Sequence, residues 1–439
     1  MSAVKLEDMA ATADAQQSPG LRKHIGLGHG IALYVSAILG AGVLVLPGQV
    51  ASLAGPASLV SWAIACLMGV PLAVLFAGLA RRYPDAGGVA TYVSHGLGRT
   101  VGGIAGWMFF VAGAIGQTIV PLTGGYYLVE GFGLSHGAAY LIAGVILGCA
   151  TAANLIGLKV SAVVQLAMAT GVALLLVLAI VAAVPDMNTS SLTPFAPDGL
   201  GPVGEGVIIL FFAFAGWEAI SHLVGEFHDP DRDLPRAVTA TVLIVTVLYM
   251  GVAAAVVLTA TYGTPAIDHV AIGLLLENLA GPHATLVAAF GALIISLGTT
   301  NAFIAGVSRL AYALARDGWL PPVVARVSTS SVPWGGVMAV GATAYAGLAL
   351  AFTQDWGTET LIVVPSTLVV AVYILASLSG ARLLRGSGRV AAVTALAISA
   401  VVAPSAAPNL LIPVAVIAIA LLARLIWRPH NPSHESSTG

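Results

Sequence analysis

The stretch Ile38-Leu39-Gly40-Ala41-Gly42-Val43 lies in the middle of the first long apolar segment of the chain. Two glycines one residue apart stand at its centre, and Pro47 follows within two turns. Glycine destabilises a helix interior by about 1 kcal/mol relative to alanine, and proline removes a backbone hydrogen bond. In hydrocarbon, freed backbone groups are tolerated only where they are buried in protein or line a cavity. The stretch therefore predicts an interrupted membrane helix whose exposed N–H groups bind a ligand.

The composition is that of a polytopic membrane protein. The 439-residue chain is 58% hydrophobic and only 8% charged, whereas soluble domains carry roughly 25% charged residues. Its formal net charge of −2 gives no electrostatic footprint for a nucleic acid partner. Cys66 and Cys149 lack the spacing of metal ligands and are interpreted as packing residues.

Apolar runs of about 20 residues predict twelve membrane spans, numbered here in chain order. They cover residues 27–53, 57–80, 101–129, 137–156, 159–184, 203–227, 237–261, 284–314, 334–353, 358–379, 389–404 and 409–427. With the N-terminus in the cytoplasm, all 17 lysines and arginines fall on the cytoplasmic side of these spans. The expected protein is all-α and multi-pass, lies in the bilayer of the cell membrane, and has both termini in the cytoplasm.

A second interrupted span is predicted at Ala215-Gly216-Trp217-Glu218 in span 6. It comes five spans after the first break, in the opposite orientation. Interrupted spans at corresponding positions of two halves are the best sequence pointer to the binding site of a secondary transporter. The expected organisation is a disordered cytoplasmic tail at 1–24, inverted repeat 1 at 25–184, an extracytoplasmic loop at 185–202, inverted repeat 2 at 203–379, spans 11 and 12 at 380–428, and a cytoplasmic tail at 429–439.

Five motifs resemble those of the amino acid–polyamine–organocation transporters. They are G-A-G at 40–42, P-x-x-G-G-x-x-x-Y at 84–92, F-x-G-x-E at 214–218, D-P-x-R-x-L-P-R-A at 229–237, and S-R followed by A-R-D-G-x-x-P within 308–321. Residues 79–90 and 217–227 resemble the bacterial exporters of methionine and branched-chain amino acids more closely. The resemblance implies a 5+5 inverted repeat with interrupted spans 1 and 6, two further C-terminal helices, and transport by alternating access.

The break in span 1 has the chemistry that an amino acid needs. A zwitterion requires donors for its carboxylate and acceptors for its ammonium group, and an interrupted helix supplies both without charged side chains. The N–H groups of Ala41, Gly42 and Val43 lie at the positive end of the second half-helix and suit the carboxylate. The carbonyls of Ile38 and Leu39 suit the ammonium group.

Span 6 is expected to add backbone carbonyls near Phe211, Phe212 and Phe214. By the family resemblance, Phe212 and Ala215 align with substrate-facing positions of span 6, and Phe303 aligns with an aromatic residue of span 8. Core packing is an open alternative for Phe214 and Phe303. The side chains around the break are apolar, so the pocket suits methionine, leucine, isoleucine or valine, because an unpaired buried charge is costly.

Mid-span polar residues are further candidates for the transport pathway, with local bonding to the backbone or bridging between helices as the alternative. They are Gln117, Thr118, Thr123, Ser296, Thr299, Thr300 and Asn301. Hydroxyls are too frequent in span 8 to favour a sodium site, and neither a metal nor a cofactor is expected.

Glu218 is an acid inside a span, which marks a functional site by default. His222 lies one turn further along the same helix face. The two residues are candidates for proton coupling. In the alternative interpretation, Glu218 pairs with freed backbone groups and His222 only approaches the cytoplasmic interface. The lysine that commoner uptake members carry in span 5 aligns with Val172, so coupling through that lysine is not expected.

The sequence thus predicts a secondary active transporter that exports neutral apolar amino acids. An uptake permease or exchanger of the same fold stays open, because sequence does not set the direction of transport. A sensor that binds an amino acid without transporting it would keep the same site. An enzyme is not expected, because neither an H-E-x-x-H motif nor a plausible Ser/His/Asp set is present. The exact substrate, the stoichiometry and the oligomeric state stay open.

Overall fold

The computed structural model describes residues 26–83, 88–157, 162–219, 227, 229–328 and 332–427. Every element within these ranges is a helix. Nine of the described helices are long and apolar enough to cross a membrane, and three shorter apolar ones accompany them. All twelve predicted spans correspond to helices of this set. The prediction of an all-α polytopic fold is therefore confirmed.

The helix bounds follow the predicted spans closely. Span 1 is Leu27–Ile38 and Gly42–Ala54, span 2 Ser58–Arg82, span 3 Arg99–Phe132, span 4 Ala138–Leu155, span 5 Ala162–Ala183, span 6 begins as Gly201–Leu210, span 7 is Pro230–Leu258, span 8 Ala284–Arg316, span 9 Trp334–Gln354, span 10 Thr358–Leu361 and Val363–Leu383, span 11 Ser387–Val402 and span 12 Leu411–Ile426. Short helices at Val89–Leu97 and at Pro265–Asp268, Ala271–Leu275 and Glu277–Ala280 connect spans 2 to 3 and 7 to 8.

Span 7 begins at Pro230 rather than at residue 237. The Asp229 side chain caps this helix by accepting a hydrogen bond from the Arg232 N–H at 3.2 Å, and Pro230 occupies the first turn, where its missing N–H costs nothing. Hydropathy alone places the start too late, because these polar residues continue the helix beyond its apolar part.

The interruption in span 1 is confirmed. The first half-helix ends at Ile38 and the second begins at Gly42. Between them, the Gly40 N–H turns back to the Ile38 carbonyl at 2.8 Å. In span 6, the α-helix ends at Leu210, residues 211–216 form successive turns, and a 3-10 turn follows at Trp217–Ala219.

The two interruptions touch each other. Gly216 has φ +138°, and a Cβ atom at this position would lie 2.6 Å from the Ala37 carbonyl oxygen in span 1. The Tyr249 hydroxyl of span 7 lies 3.0 Å from the Ile38 carbonyl and 3.2 Å from that of Ala213, within hydrogen-bond distance of both breaks. A glycine and a buried tyrosine thus hold the breaks together.

Arginines at the ends of spans 2 and 10 bond to residues at the ends of other spans or in the short helix after span 2. They lie on one face of the bundle, called here the arginine face. Arg81 of span 2 pairs with Asp231 at the start of span 7. Arg82 donates to the Leu383 carbonyl at the end of span 10, at 2.6 Å. Arg382 donates to the Gly96 carbonyl, at 3.2 Å. These three arginines lie on one face, and the segregation of all 17 basic residues to one side of the membrane stays a prediction.

The opposite face closes over the second half of span 1. A Cβ atom on Gly48 would lie 2.7 Å from the Asp268 backbone, so the short helix Pro265–Asp268 rests directly on span 1. His269 is 5% exposed, stacks on Tyr126 with ring centroids 4.0 Å apart, and lies 2.8 Å from a Glu359 carboxylate oxygen. Spans 3 and 10 and the connection after span 7 thus meet above the break.

Several predicted features fall outside the described residues or stay predictions. The two tails, the start of the 84–92 motif and His222 lie outside them. The inverted-repeat boundaries and the side of the membrane on which the termini lie stay predictions.

We expect Gly216→Ala to destabilise the fold by about 1–3 kcal/mol, because the substitution forces a side chain into a strained backbone conformation and against the Ala37 carbonyl. Equilibrium unfolding of the purified protein in mixed detergent micelles measures this change. Gly171→Ala is the matched control: it lies inside span 5 with nothing within 4 Å of its Cβ position, and we expect it to be neutral or stabilising by up to about 1 kcal/mol. Equal stability of Gly216→Ala and the wild type would contradict the proposed junction.

Candidate functional site

A cavity lies between the two breaks and spans 3, 8 and 10. It encloses about 620 Å³ of space between atoms, its mouth included. Its walls are Ala37, Ile38, Gly40, Ala41, Gly42, Phe109, Ala112, Gly113, Gly116, Gln117, Val120, Phe212, Ala213, Ala215, Thr299, Phe303, Val307, Pro365 and Val369. None of these lining residues is charged.

Most of the residues predicted to form the site meet in this cavity. Those that line it are Ile38, Gly40, Ala41, Gly42, Phe212, Ala215 and Phe303. Leu39 and Val43 are buried beside it without lining it. Phe211 packs towards Tyr373, and Phe214 packs against Trp217 and Tyr249. The side chain of Phe214 therefore belongs to the core, which was the open alternative.

The break in span 1 leaves two backbone donors unpaired. The N–H groups of Ala41 and Gly42 have no acceptor among the described residues. The Val43 N–H, predicted as a third donor, lies 3.4 Å from the Gly40 carbonyl, and the Leu44 N–H bonds to the Ala41 carbonyl at 3.1 Å. The donors free for a carboxylate are thus Ala41 and Gly42, at the positive end of the second half-helix.

The carbonyls divide into satisfied and unsatisfied groups. The Ile38 carbonyl already accepts from Gly40 and Tyr249, and the Phe214 carbonyl accepts from the Tyr373 hydroxyl at 3.3 Å. Within the described part of the chain, nothing donates to the carbonyls of Leu39, Phe211 and Phe212. Of these three residues, Phe212 lines the cavity, while Leu39 and Phe211 lie beside its lining.

One wall of the cavity was missed by sequence reasoning. Span 3 contributes Phe109, Ala112, Gly113, Gly116 and Val120, which recur at the spacing of a single helix face. A Cβ atom on Gly116 would lie 3.3 Å from the Phe212 ring, so this glycine makes room for the ring. The spacing of small residues in span 3 is the signal that was available, but small residues also serve ordinary helix packing.

Two of the predicted polar residues line the cavity, Gln117 and Thr299. The Gln117 amide nitrogen donates to the Gly113 carbonyl of its own helix at 3.2 Å, and its buried side-chain oxygen has no partner in the described structure. The other polar candidates lie elsewhere: Thr118 and Thr123 bond to backbone carbonyls, Asn301 bonds to Asn154, and Ser296 and Thr300 are buried away from the lining.

Glu218 lies behind the cavity wall, at the break of span 6. A carboxylate oxygen accepts a hydrogen bond from the Gly216 N–H at 3.1 Å and from the Tyr373 hydroxyl of span 10 at 2.5 Å. The Tyr34 hydroxyl of span 1 donates to the neighbouring Trp217 carbonyl at 2.9 Å. Glu218 therefore connects span 10 to the point at which span 6 turns. It binds a freed backbone group, as the alternative interpretation expected, and proton coupling through Glu218 stays a prediction.

The bundle thus has two facing breaks with an uncharged cavity between them. The family model described as "Amino acid permease" matches residues 26–434. The chain belongs to the amino acid permease family. It is thus a transporter-family protein rather than an enzyme.

Named relatives give the family more detail. The chain is 32% identical to the uncharacterized amino acid permease YecA of Bacillus subtilis, over 83% of this chain and 86% of that protein. It is 29% identical to the L-methionine/branched-chain amino acid exporter YjeH of Escherichia coli, over 85% and 89%. It is 27% identical to the branched-chain amino acid permease BcaP of Bacillus subtilis, over 73% of each chain. The likeness to the exporter branch predicted from the motifs is thereby confirmed.

For this permease, Gly42→Val should weaken amino acid binding at least tenfold. A Cβ atom added at Gly42 would lie 3.2 Å from the Phe212 ring, so the methyl groups of valine would fill the cavity beside the free N–H groups. Gly40→Ala is the matched control, since its Cβ makes an ordinary contact of 3.5 Å with Thr299. Thermal stabilisation of the two purified variants by leucine or methionine measures the difference. Unimpaired binding by Gly42→Val would contradict the location of the site.

Proposed function

We propose that this permease moves neutral amino acids with apolar side chains across the cell membrane by alternating access, and that its net direction is export. The observation that carries the proposal is the combination of unsatisfied backbone donors and acceptors with an uncharged cavity whose other lining residues are apolar apart from Gln117 and Thr299. Ala41 and Gly42 offer N–H groups for a carboxylate, and Leu39, Phe211 and Phe212 offer carbonyls for an ammonium group.

The lining favours an apolar side chain on the substrate. Phe109, Phe212, Phe303 and Val307 surround the space, and no acid or base lines it to pair with a charged substrate. Burying an unpaired charge there would cost several kcal/mol after relaxation. Arginine, glutamate and polyamines are therefore poor candidates, whereas methionine and the branched-chain amino acids fit.

Two further points support the direction and the cycle. The arginine face is taken as cytoplasmic, following the bias of basic residues towards that side. The opposite face is then the outer one, where the His269–Glu359 contact closes the bundle. The likeness to a named exporter supports export, while the likeness to a named permease keeps uptake as the competing direction.

Thermal stabilisation against all twenty amino acids should be selective for methionine, leucine, isoleucine and valine. Proteoliposomes loaded with the stabilising amino acid should then release it faster than loaded liposomes without protein. Stabilisation only by charged amino acids would refute the substrate class. Binding without flux in either direction would identify a sensor in place of a transporter.

We propose that transport is coupled to protons through Glu218. We expect Glu218→Gln to abolish the pH dependence of transport while it preserves leucine binding, since the carboxyl group lies outside the cavity lining and the amide still fits its space. Tyr373→Phe is the companion variant: it removes the hydroxyl contact and keeps the titratable group, so the pH dependence should shift without disappearing. Flux measured across a pH series decides this. Normal transport with an unchanged pH profile in Glu218→Gln would rule out coupling at this residue.

A further inference from the structure

A second concave site opens on the arginine face and shares no lining residue with the cavity between the breaks. The cleft encloses about 2420 Å³ of space, part of it open solvent. Four arginines line it together with a single acid: Arg99, Arg309, Arg316, Arg424 and Asp317. Its walls come from the short helix Val89–Leu97, the start of span 3, the end of span 8 and the end of span 12.

The described residues do not neutralise the positive charge of this cleft. The only acid in the lining, Asp317, lies 3.5 Å from the Arg316 side chain. Arg309 donates to the Ala305 carbonyl of its own helix at 2.7 Å, and Arg424 donates to the backbone carbonyl of Asp317. Arg99 is exposed and has neither a hydrogen-bond nor an ion-pair partner among the described residues. Three of the four guanidinium groups therefore have no carboxylate partner in that part of the chain.

Trp319 forms a buried, hydrogen-bonded part of the wall of the cleft. Trp319 is 4% exposed, and its carbonyl accepts a hydrogen bond from the Trp107 indole of span 3 at 2.8 Å. The Trp319 ring packs directly against Gly103. A Cβ atom at position 103 would lie 1.9 Å from the ring, so only glycine permits this contact. The Arg424 guanidinium lies 4.9 Å from the centre of the Trp319 ring. The arginine of span 12 is thus held at the cleft by a cation–π contact.

The position of the cleft brings it to the level of the lipid headgroups. Arg316 and Arg424 lie in the last turns of spans 8 and 12, and Arg99 is the first residue of span 3. Leu421, one turn before Arg424 on the same helix face, is 40% exposed, and the adjoining Leu422 and Leu425 are 59% and 66% exposed. Where a membrane span ends, its apolar surface meets the headgroup region. The cleft therefore joins a lipid-facing apolar surface to a cluster of guanidinium groups.

We propose that this cleft binds a phosphate-bearing anion, separately from the amino acid that the permease carries. Guanidinium groups bind phosphate oxygens in a planar, bidentate manner, and basic pockets between membrane helices on the cytoplasmic side hold anionic headgroups. The phosphate belongs either to an anionic phospholipid, whose acyl chains would lie along Leu422 and Leu425, or to a soluble phosphate compound. The exposed apolar surface beside Arg424 favours the phospholipid.

The test uses the full-length protein, purified in detergent and depleted of lipid. One arm titrates it with phosphatidylglycerol, with phosphatidylcholine as the zwitterionic reference, and the other arm titrates it with inorganic phosphate at constant ionic strength. The melting temperature is followed in both arms. We expect half-maximal stabilisation at a phosphatidylglycerol concentration at least tenfold lower than that of phosphatidylcholine. Stabilisation by inorganic phosphate alone assigns the site to a soluble compound. Stabilisation by neither anion overturns the proposal.

Arg99→Gln and its matched control locate the binding. Arg99 and Arg389 are both exposed arginines in the first turn of a span, and neither has a partner in the described structure, but only Arg99 lines the cleft. Arg99→Gln should raise the half-maximal concentration roughly fivefold, which corresponds to about 1 kcal/mol for one basic residue at an anionic surface. Adding Arg309→Gln should raise it about fivefold again, and Arg389→Gln should leave it unchanged. Equal losses in Arg99→Gln and Arg389→Gln would show general surface attraction and refute the site.

Leucine stabilisation of the same variants separates this proposal from transport. The cleft residues do not line the cavity between the breaks, so Arg99→Gln should keep its response to leucine. A variant that responds to leucine and has lost its response to the anion supports the cleft as an independent site. Loss of both responses together would mean that the substitution acts through the fold, and the proposal of a separate site would fall.

Discussion

The structure depends on one constraint: backbone polar groups inside a membrane bundle need partners. The interruptions of spans 1 and 6 release carbonyls and N–H groups in a region where water is scarce, and each buried group without a partner costs about 1–3 kcal/mol. Tyrosine hydroxyls from neighbouring spans satisfy several of them. Tyr249 reaches the carbonyls of Ile38 and Ala213, and Tyr373 donates to the Phe214 carbonyl at 3.3 Å.

Among the described residues, the tyrosines leave unpaired the groups that we propose to bind the substrate. Donors remain at Ala41 and Gly42, and acceptors remain at Leu39, Phe211 and Phe212. They lie at or beside a space whose other lining residues are apolar apart from Gln117 and Thr299. A molecule that carries a carboxylate and an ammonium group on one carbon, with an apolar side chain, complements both the polar and the apolar parts. In the proposed function, such a molecule supplies the partners that these backbone groups need.

Hydropathy and glycine placement in the sequence predicted much of this architecture. The spans, the two breaks and the position of Gly42 at a break follow from local patterns, because membrane helices need long apolar runs and breaks need glycine. The expectation that Phe212 faces the cavity came from the family resemblance. Contacts between distant residues do not follow from such patterns. The partner of Glu218 is Tyr373, 155 residues away, and no local signal pairs them. Phe214 lies only two residues after Phe212, yet its ring packs in the core against Tyr249, because nearby positions of a turn face different directions.

The central claim is that main-chain groups of the two breaks bind the carboxylate and the ammonium group of the substrate. Isothermal titration of the purified permease with leucine, leucinamide and isocaproate tests it most directly. Leucinamide lacks the carboxylate charge, isocaproate lacks the ammonium group, and both keep the apolar side chain. We predict that each analogue binds at least tenfold more weakly than leucine, since each leaves either the backbone N–H groups or the backbone carbonyls unpaired. Binding of either analogue as tightly as leucine would contradict it.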